Sequence, residues 1–221
     1  MCAAPNPSRR KLATAVRAYC AKEYPDATCA LHFHTPLELL VATMLSAQCT
    51  DARVNQVTPA LFAAYRSAQD FANADGAALM RAIHSCGFYR AKAKSIMGAA
   101  AILVAQFGGQ VPRTMDDLLT LPGVARKTAN VVLGTAFGMH EGIVVDTHVQ
   151  RVSARLGLTE HTDPVKIERD LMELVPRHEW TACGHRLGAH GRLRCQAKKP
   201  QCAACGLRPV CRHAGQSGSK L

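Results

Sequence analysis

Four cysteines crowd into positions 195 to 211, spaced Cys195-x6-Cys202-x2-Cys205-x5-Cys211. Thiolates are soft ligands, and four of them in one short loop can hold a zinc ion or a [4Fe-4S] cluster. The spacing alone does not choose between the two. A second group able to do chemistry is Leu121-Pro122-Gly123-Val124-Ala125-Arg126-Lys127-Thr128-Ala129. Pro122 and Gly123 force a tight turn and shed side chains there, so backbone N–H groups can meet an approaching phosphate. The helix starting near residue 126 adds its positive N-terminal end to that anion site. Such a helix–hairpin–helix element grips a nucleic-acid backbone without reading sequence. An ordinary turn between helices is the plainer alternative. Arg126-Lys127-Thr128 also looks like the end of a nucleotide-binding loop. That loop needs glycines where Arg126 and Leu121 stand, so the NTPase reading fails.

Lys127, on the first turn of that helix, is by type either a phosphate contact or a nucleophile. To attack, an ammonium must give up its proton, which a helix N-terminus beside Arg126 favours. Asp146 precedes Thr147-His148-Val149 and is a good helix N-cap. A carboxylate there can also steady positive charge and move protons, and the two roles are compatible.

The elements that must position these groups read as helices. Residues 11–21 are amphipathic, with Leu12, Ala15, Val16 and Tyr19 on one face. Thr35, before Pro36 and Glu38, signals the cap of an apolar helix over 37–46. Helical stretches follow at 51–65, 77–84 and 91–107, the last ended by Gly108-Gly109. A short helix over 115–120 leads into the hairpin, and 128–138 reads as a central apolar helix. Three more span 146–156, 165–174 and 179–191. No segment alternates with a two-residue period, and Gly142-Ile143-Val144-Val145 is the only strand-like run. The fold class is all-α. The helical pattern ends near Arg192, and the small, polar tail after Cys211 is expected to be flexible.

The 221 residues are 48% hydrophobic and 19% charged, enough for one or two domains with a core. Lys and Arg number 27 against 16 Asp and Glu, a net charge of +11 that points to a polyanionic partner, nucleic acid foremost. A single Trp argues against a stacking platform for single strands. Arg192, Arg194, Lys198 and Lys199 could lie along DNA phosphates, or form a merely solvated loop. The apolar stretch 97–107 is too short for a bilayer, and no secretion signal opens the chain. A cytoplasmic, nucleoid-associated protein is expected, with Cys2, Cys20, Cys29, Cys49, Cys86 and Cys183 as free thiols. Ser219-Lys220-Leu221 resembles a peroxisomal address, but no other feature supports that compartment.

LPGVARKTANVVLGTAF followed by VVDTHVQRV resembles the hairpin and catalytic segment of the endonuclease III family. The resemblance runs from LSAQCTD at 45–51 through the four cysteines. It implies the helix–hairpin–helix DNA glycosylase fold: a six-helix barrel domain over 29–139, and a helical domain of 1–28 and 140–221 carrying the cluster loop. DNA would lie across the cleft between them. It further implies a bifunctional glycosylase and AP lyase of base excision repair. Such an enzyme excises oxidised pyrimidines from duplex DNA and nicks the abasic site by β-elimination.

That reaction needs an amine, because an amine forms an iminium at the sugar C1′ that acidifies the C2′ proton. Water would stop at the abasic site. Lys127 matches the family's Schiff-base lysine, and Asp146 its catalytic carboxylate. The base must leave the stack to be reached. Gln48 falls at the family's gap-filling position and Phe88 at its second wedge, where Leu is usual. Taken alone, Gln48 would read as a helix-end polar residue and Phe88 as core. The backbone of Gly123, Val124, Ala125, Arg126 and Thr128 would hold the DNA, with Ala125 standing where a second Gly is frequent. Cys49 stands where Ala is common.

The cysteine spacing resembles the family's cluster loop and implies a structural [4Fe-4S] cluster held by Cys195, Cys202, Cys205 and Cys211. The partner would be double-stranded DNA with damaged bases or abasic sites, and the chain would act as a monomer. Two alternatives stand beside this reading. A mismatch adenine glycosylase would carry a Glu where Met44 stands, lack the nucleophilic Lys and add a C-terminal domain. A non-catalytic DNA-binding module would use the cysteines for structural zinc.

Overall fold

Side-chain caps decide where most of the helices begin. Thr35 Oγ1 accepts from the Glu38 N–H at 3.2 Å, Thr50 from Arg53 at 3.3 Å, and Asp163 from Lys166 at 3.0 Å. Ser67 and Asp70 form a reciprocal capping box. Each such cap stabilises its helix by about 1 kcal/mol. The computed structural model describes residues 7–217. Its helices are α1 (Pro7–Glu23), α2 (Pro36–Ser46), α3 (Asp51–Ala64), α4 (Ala68–Ala72), α5 (Gly76–Ala82), α6 (Tyr89–Phe107), α7 (Met115–Leu119), α8 (Arg126–Ala136), α9 (Thr147–Leu156), α10 (Pro164–Leu174), α11 (Trp180–Leu193) and α12 (Arg212–Ser217). Among the described residues there is no strand, and the run at 142–145 is irregular chain that buries Ile143 and Val145.

The chain divides into two compact units. Cys29–Met139 holds α2 to α8, and the described parts of Met1–Thr28 and His140–Leu221 hold α1 and α9 to α12. In the first unit α2 is buried almost all round, from Leu39 to Leu45, and the buried run 129–133 of α8 packs with it. The second unit has its own core, in which Val16, Ile143, Val152, Ile167, Leu171 and Leu187 are nearly inaccessible. Burying one such side chain stabilises the fold by roughly 1.5–3 kcal/mol.

Several elements differ from the sequence reading. The buried face of α1 is turned, with Ala13, Val16 and Cys20 inward and Leu12 and Tyr19 at its edge. The described part of the tail forms α12, where Arg212 donates to the Ala154 carbonyl at 2.9 Å and pairs with Glu160. Of the scattered cysteines, Cys20, Cys86 and Cys183 are buried and Cys29 and Cys49 half-buried, all unbridged. Cys2 and Ser219-Lys220-Leu221 lie outside the described residues. No described helix is long and apolar enough to cross a membrane.

Candidate active site

The hairpin between α7 and α8 closes on itself. Leu121 N donates to Leu118 O at 3.2 Å and Val124 N to Leu121 O at 3.1 Å, while both side chains are buried. Gly123 has φ +77°, and a Cβ there would stand 2.7 Å from Ser95 Cβ. Conformation and space both demand glycine. Ala125 is extended (φ −98°, ψ 170°), a conformation any residue adopts, so its Cβ does not disturb the turn. No side chain caps α8 at Ala125, which leaves the helix start suited to an external anion. Lys127 is exposed on this first turn, with Arg126 and Thr128 half-buried on either side.

Gln48 and Phe88 stand near the hairpin within the same unit. They are the two described non-glycine residues in left-handed backbone, at φ 51° and 45°. Phe88 is 66% exposed, so it is not the core residue its type suggests. The two line one cavity of about 300 Å³ together with Gly123. Cys49 packs against Cys86, whose thiol is pushed up to about 11 by burial first and by Cys49 next.

Asp146 lies in the other unit and opens α9. Its Oδ1 accepts from the N–H groups of His148 (2.9 Å) and Val149 (2.8 Å), so it is the cap its position suggested. Its Oδ2 lies 4.0 Å from Arg192 Nη1. Glycines on α11 permit this approach. A Cβ at Gly184 would press on the Val144 backbone at 3.3 Å, and one at Gly191 would stand 2.8 Å from His148 Cβ. Over Gly188 the Arg192 guanidinium folds back. The imidazole of His185, on the same face of α11, is pushed below its ordinary pKa, with burial the main cause, Arg192 adding to it and Asp146 opposing.

The thiol loop follows α11. Cys195, Cys202, Cys205 and Cys211 all line one cavity, walled also by Leu156 and Pro200. Two arginines on α9 hold the loop, and sequence reading missed them. Arg155 donates to Gln196 O (2.8 Å) and Ala197 O (2.9 Å), with Nη1 3.4 Å from Cys195 Sγ. Arg151 donates to Cys195 O at 3.1 Å and Gly191 O at 2.8 Å. Their four-residue spacing, which puts both on one helix face, was the available signal. Among the described residues no three His, Cys, Asp or Glu side chains close tightly enough around a point for a single ion. The four thiols line one cavity, and thiolates are the donor type that either zinc or an iron–sulfur cluster takes.

The four basic residues expected along DNA do not form one set. Arg192 faces Asp146, and Arg194 donates to Gln201 (2.9 Å) and Glu23 (3.4 Å). Lys198 and Lys199 are exposed. Internal acceptors have engaged the two guanidinium groups.

Residues 41–177 match the model of the HhH-GPD superfamily of base excision DNA repair proteins. The endonuclease III of Synechocystis sp. is 53% identical over 210 residues, covering 95% of this chain and 96% of the relative. The chain belongs to the endonuclease III family. The endonuclease III of Bacillus subtilis (strain 168) is 47% identical, covering 89% of this chain and 90% of the relative. Among solved structures, a trapped endonuclease III–DNA covalent intermediate is similar with a TM-score of 0.89 at 44% identity, covering 95% of this chain and 98% of that one. As a member of the endonuclease III family, the chain is an all-helical DNA glycosylase of base excision repair, with the AP lyase activity that belongs to the family. Neither an adenine-mismatch glycosylase nor a non-catalytic module fits that membership.

Proposed function

We propose that this chain, acting as a monomer, excises oxidised pyrimidines from duplex DNA and nicks the abasic site through Lys127. One observation carries the reading: an exposed lysine on the uncapped first turn of α8, directly after a turn that only glycine can make. The backbone from Gly123 to Thr128 takes a phosphate, which brings the amine to the sugar. Neutral Nζ attacks C1′, the C1′–N bond breaks, and the base leaves with the electron pair and gains a proton. Nζ then gives up its extra proton, the C1′–O4′ bond breaks with O4′ taking a proton, and the ring-opened iminium acidifies C2′–H. Loss of that proton expels the 3′ phosphate oxygen, and water then hydrolyses the imine to free Lys127. Asp146 supports the positive charge that develops on the sugar as the base departs. Its Oδ1 is committed to the α9 cap, so Oδ2 is the oxygen for that role.

Gln48 and Phe88 fill the gap left by the extruded nucleotide. Lys198 and Lys199 contact phosphates, whereas Arg192 and Arg194 serve the protein's own acceptors. The reading is tested with duplexes bearing thymine glycol, other oxidised pyrimidines or oxidised purines, scored for base release and nicking. Preferential release of the pyrimidines is expected. Release confined to purines would overturn it.

Cys195, Cys202, Cys205 and Cys211 would hold a [4Fe-4S] cluster, whose four iron–thiolate bonds pin a loop too short to build a core. Four thiols lining one cavity support the fit. Purified protein should be brown, with broad absorption near about 400 nm. Cys202→Ser should lose that absorption and the bound iron, and melt at lower temperature. Stoichiometric zinc without iron in the intact protein would contradict the assignment.

A further inference from the structure

Lys92, near the start of α6, is only 7% exposed. An ammonium is costly to bury unless its donors are met. Its Nζ donates to Leu45 O at 2.7 Å and Cys86 O at 2.8 Å. Leu45 lies in the last turn of α2, three residues before Gln48. Cys86 ends the 3-10 turn His84–Cys86, two residues before Phe88. Carbonyls at such ends carry negative partial charge without an intrahelical partner, so one cation answers both. The Lys92 backbone N–H also donates to Phe88 O at 3.0 Å. Left-handed backbone is strained for a residue with a Cβ, and Gln48 and Phe88 both adopt it. Something must hold them there. All three residues line the same cavity. For filling space alone a Leu or Met would serve. An ammonium adds a shared reference point for two loop ends.

We propose that Lys92 is a positioning residue that fixes Gln48 relative to Phe88, so that both side chains enter the duplex stack as one device. The inference rests on the wedge reading of Gln48 and Phe88 given above. Burial lowers the lysine's pKa while Cys49 and Cys86 oppose the shift, consistent with a group chosen for its donors.

The test uses 2-aminopurine beside a lesion in duplex DNA, whose fluorescence rises when the stack opens, read with steady-state kinetics on the same duplex. Lys92→Met should slow the rise and lower kcat about tenfold or more, with KM moving less than about threefold. Lys92→Arg, which keeps donors for both carbonyls, should recover most of the loss. A merely structural lysine would not split kcat from KM in this way. Should the Met variant fail to fold, Lys92→Gln carries the same comparison. An unchanged rise in Lys92→Met, with slowed rises in Gln48→Ala and Phe88→Ala, would sink the Lys92 assignment alone. Unchanged rises in Gln48→Ala and Phe88→Ala would sink the wedge reading and this inference with it.

Discussion

Lys127→Ala is expected to abolish the borohydride-trapped adduct with abasic duplex DNA and to lower nicking by at least about 10³-fold. The fold should not notice. Lys127 is exposed on the first turn of α8, and Ala is the best helix former, so the melting temperature should stay within a few degrees. That separation matters, because the competing role for this lysine is a phosphate contact. Loss of such a contact would weaken binding and reduce the salt slope by about one, yet leave an adduct to trap. Lys127→Gln adds a check, since its amide can still donate to a phosphate but cannot form an iminium. Trapped product from either variant would remove the nucleophile from the mechanism.

Contiguous features were open to reading and distant ones were not. The hairpin motif and VVDTHVQRV are unbroken stretches, so both the family and the residues at stake can be read without coordinates. The caps at Thr35 and Asp146 are likewise local. α4 escaped notice although Ser67 and Asp70 form its capping box, because five residues show no periodicity. The left-handed backbone at Gln48 and Phe88 had no glycine to announce it. Arg194 read as a phosphate contact because a charge in sequence carries no sign of its acceptor. One of its partners, Glu23, is 171 positions away. Lys92 was hidden for the same reason. Burial and two carbonyl acceptors, one of them 47 positions away, make it notable, and its neighbours in sequence do not.

Asp146 poses a sharper question, because its helix cap and its proposed catalytic role can be divided by different substitutions. Asp146→Asn should keep the α9 cap, since the amide oxygen accepts from the same two N–H groups and Asn caps as well as Asp. The ion pair it gives up, with Arg192 at 4.0 Å, is partly solvated and contributes little, so stability should move by less than about 1 kcal/mol. Base release should nevertheless fall on the order of 10²-fold, because the charge proposed to support the developing cation is gone. Asp146→Ala should show the same catalytic loss and a further destabilisation of about 1 kcal/mol from the missing cap. Urea unfolding measured beside single-turnover base release distinguishes the outcomes. If Asp146→Asn releases base at the unmodified rate while Asp146→Ala merely melts earlier, the carboxylate is a helix cap with no part in the chemistry. The positive charge on the sugar would then need another counter-ion.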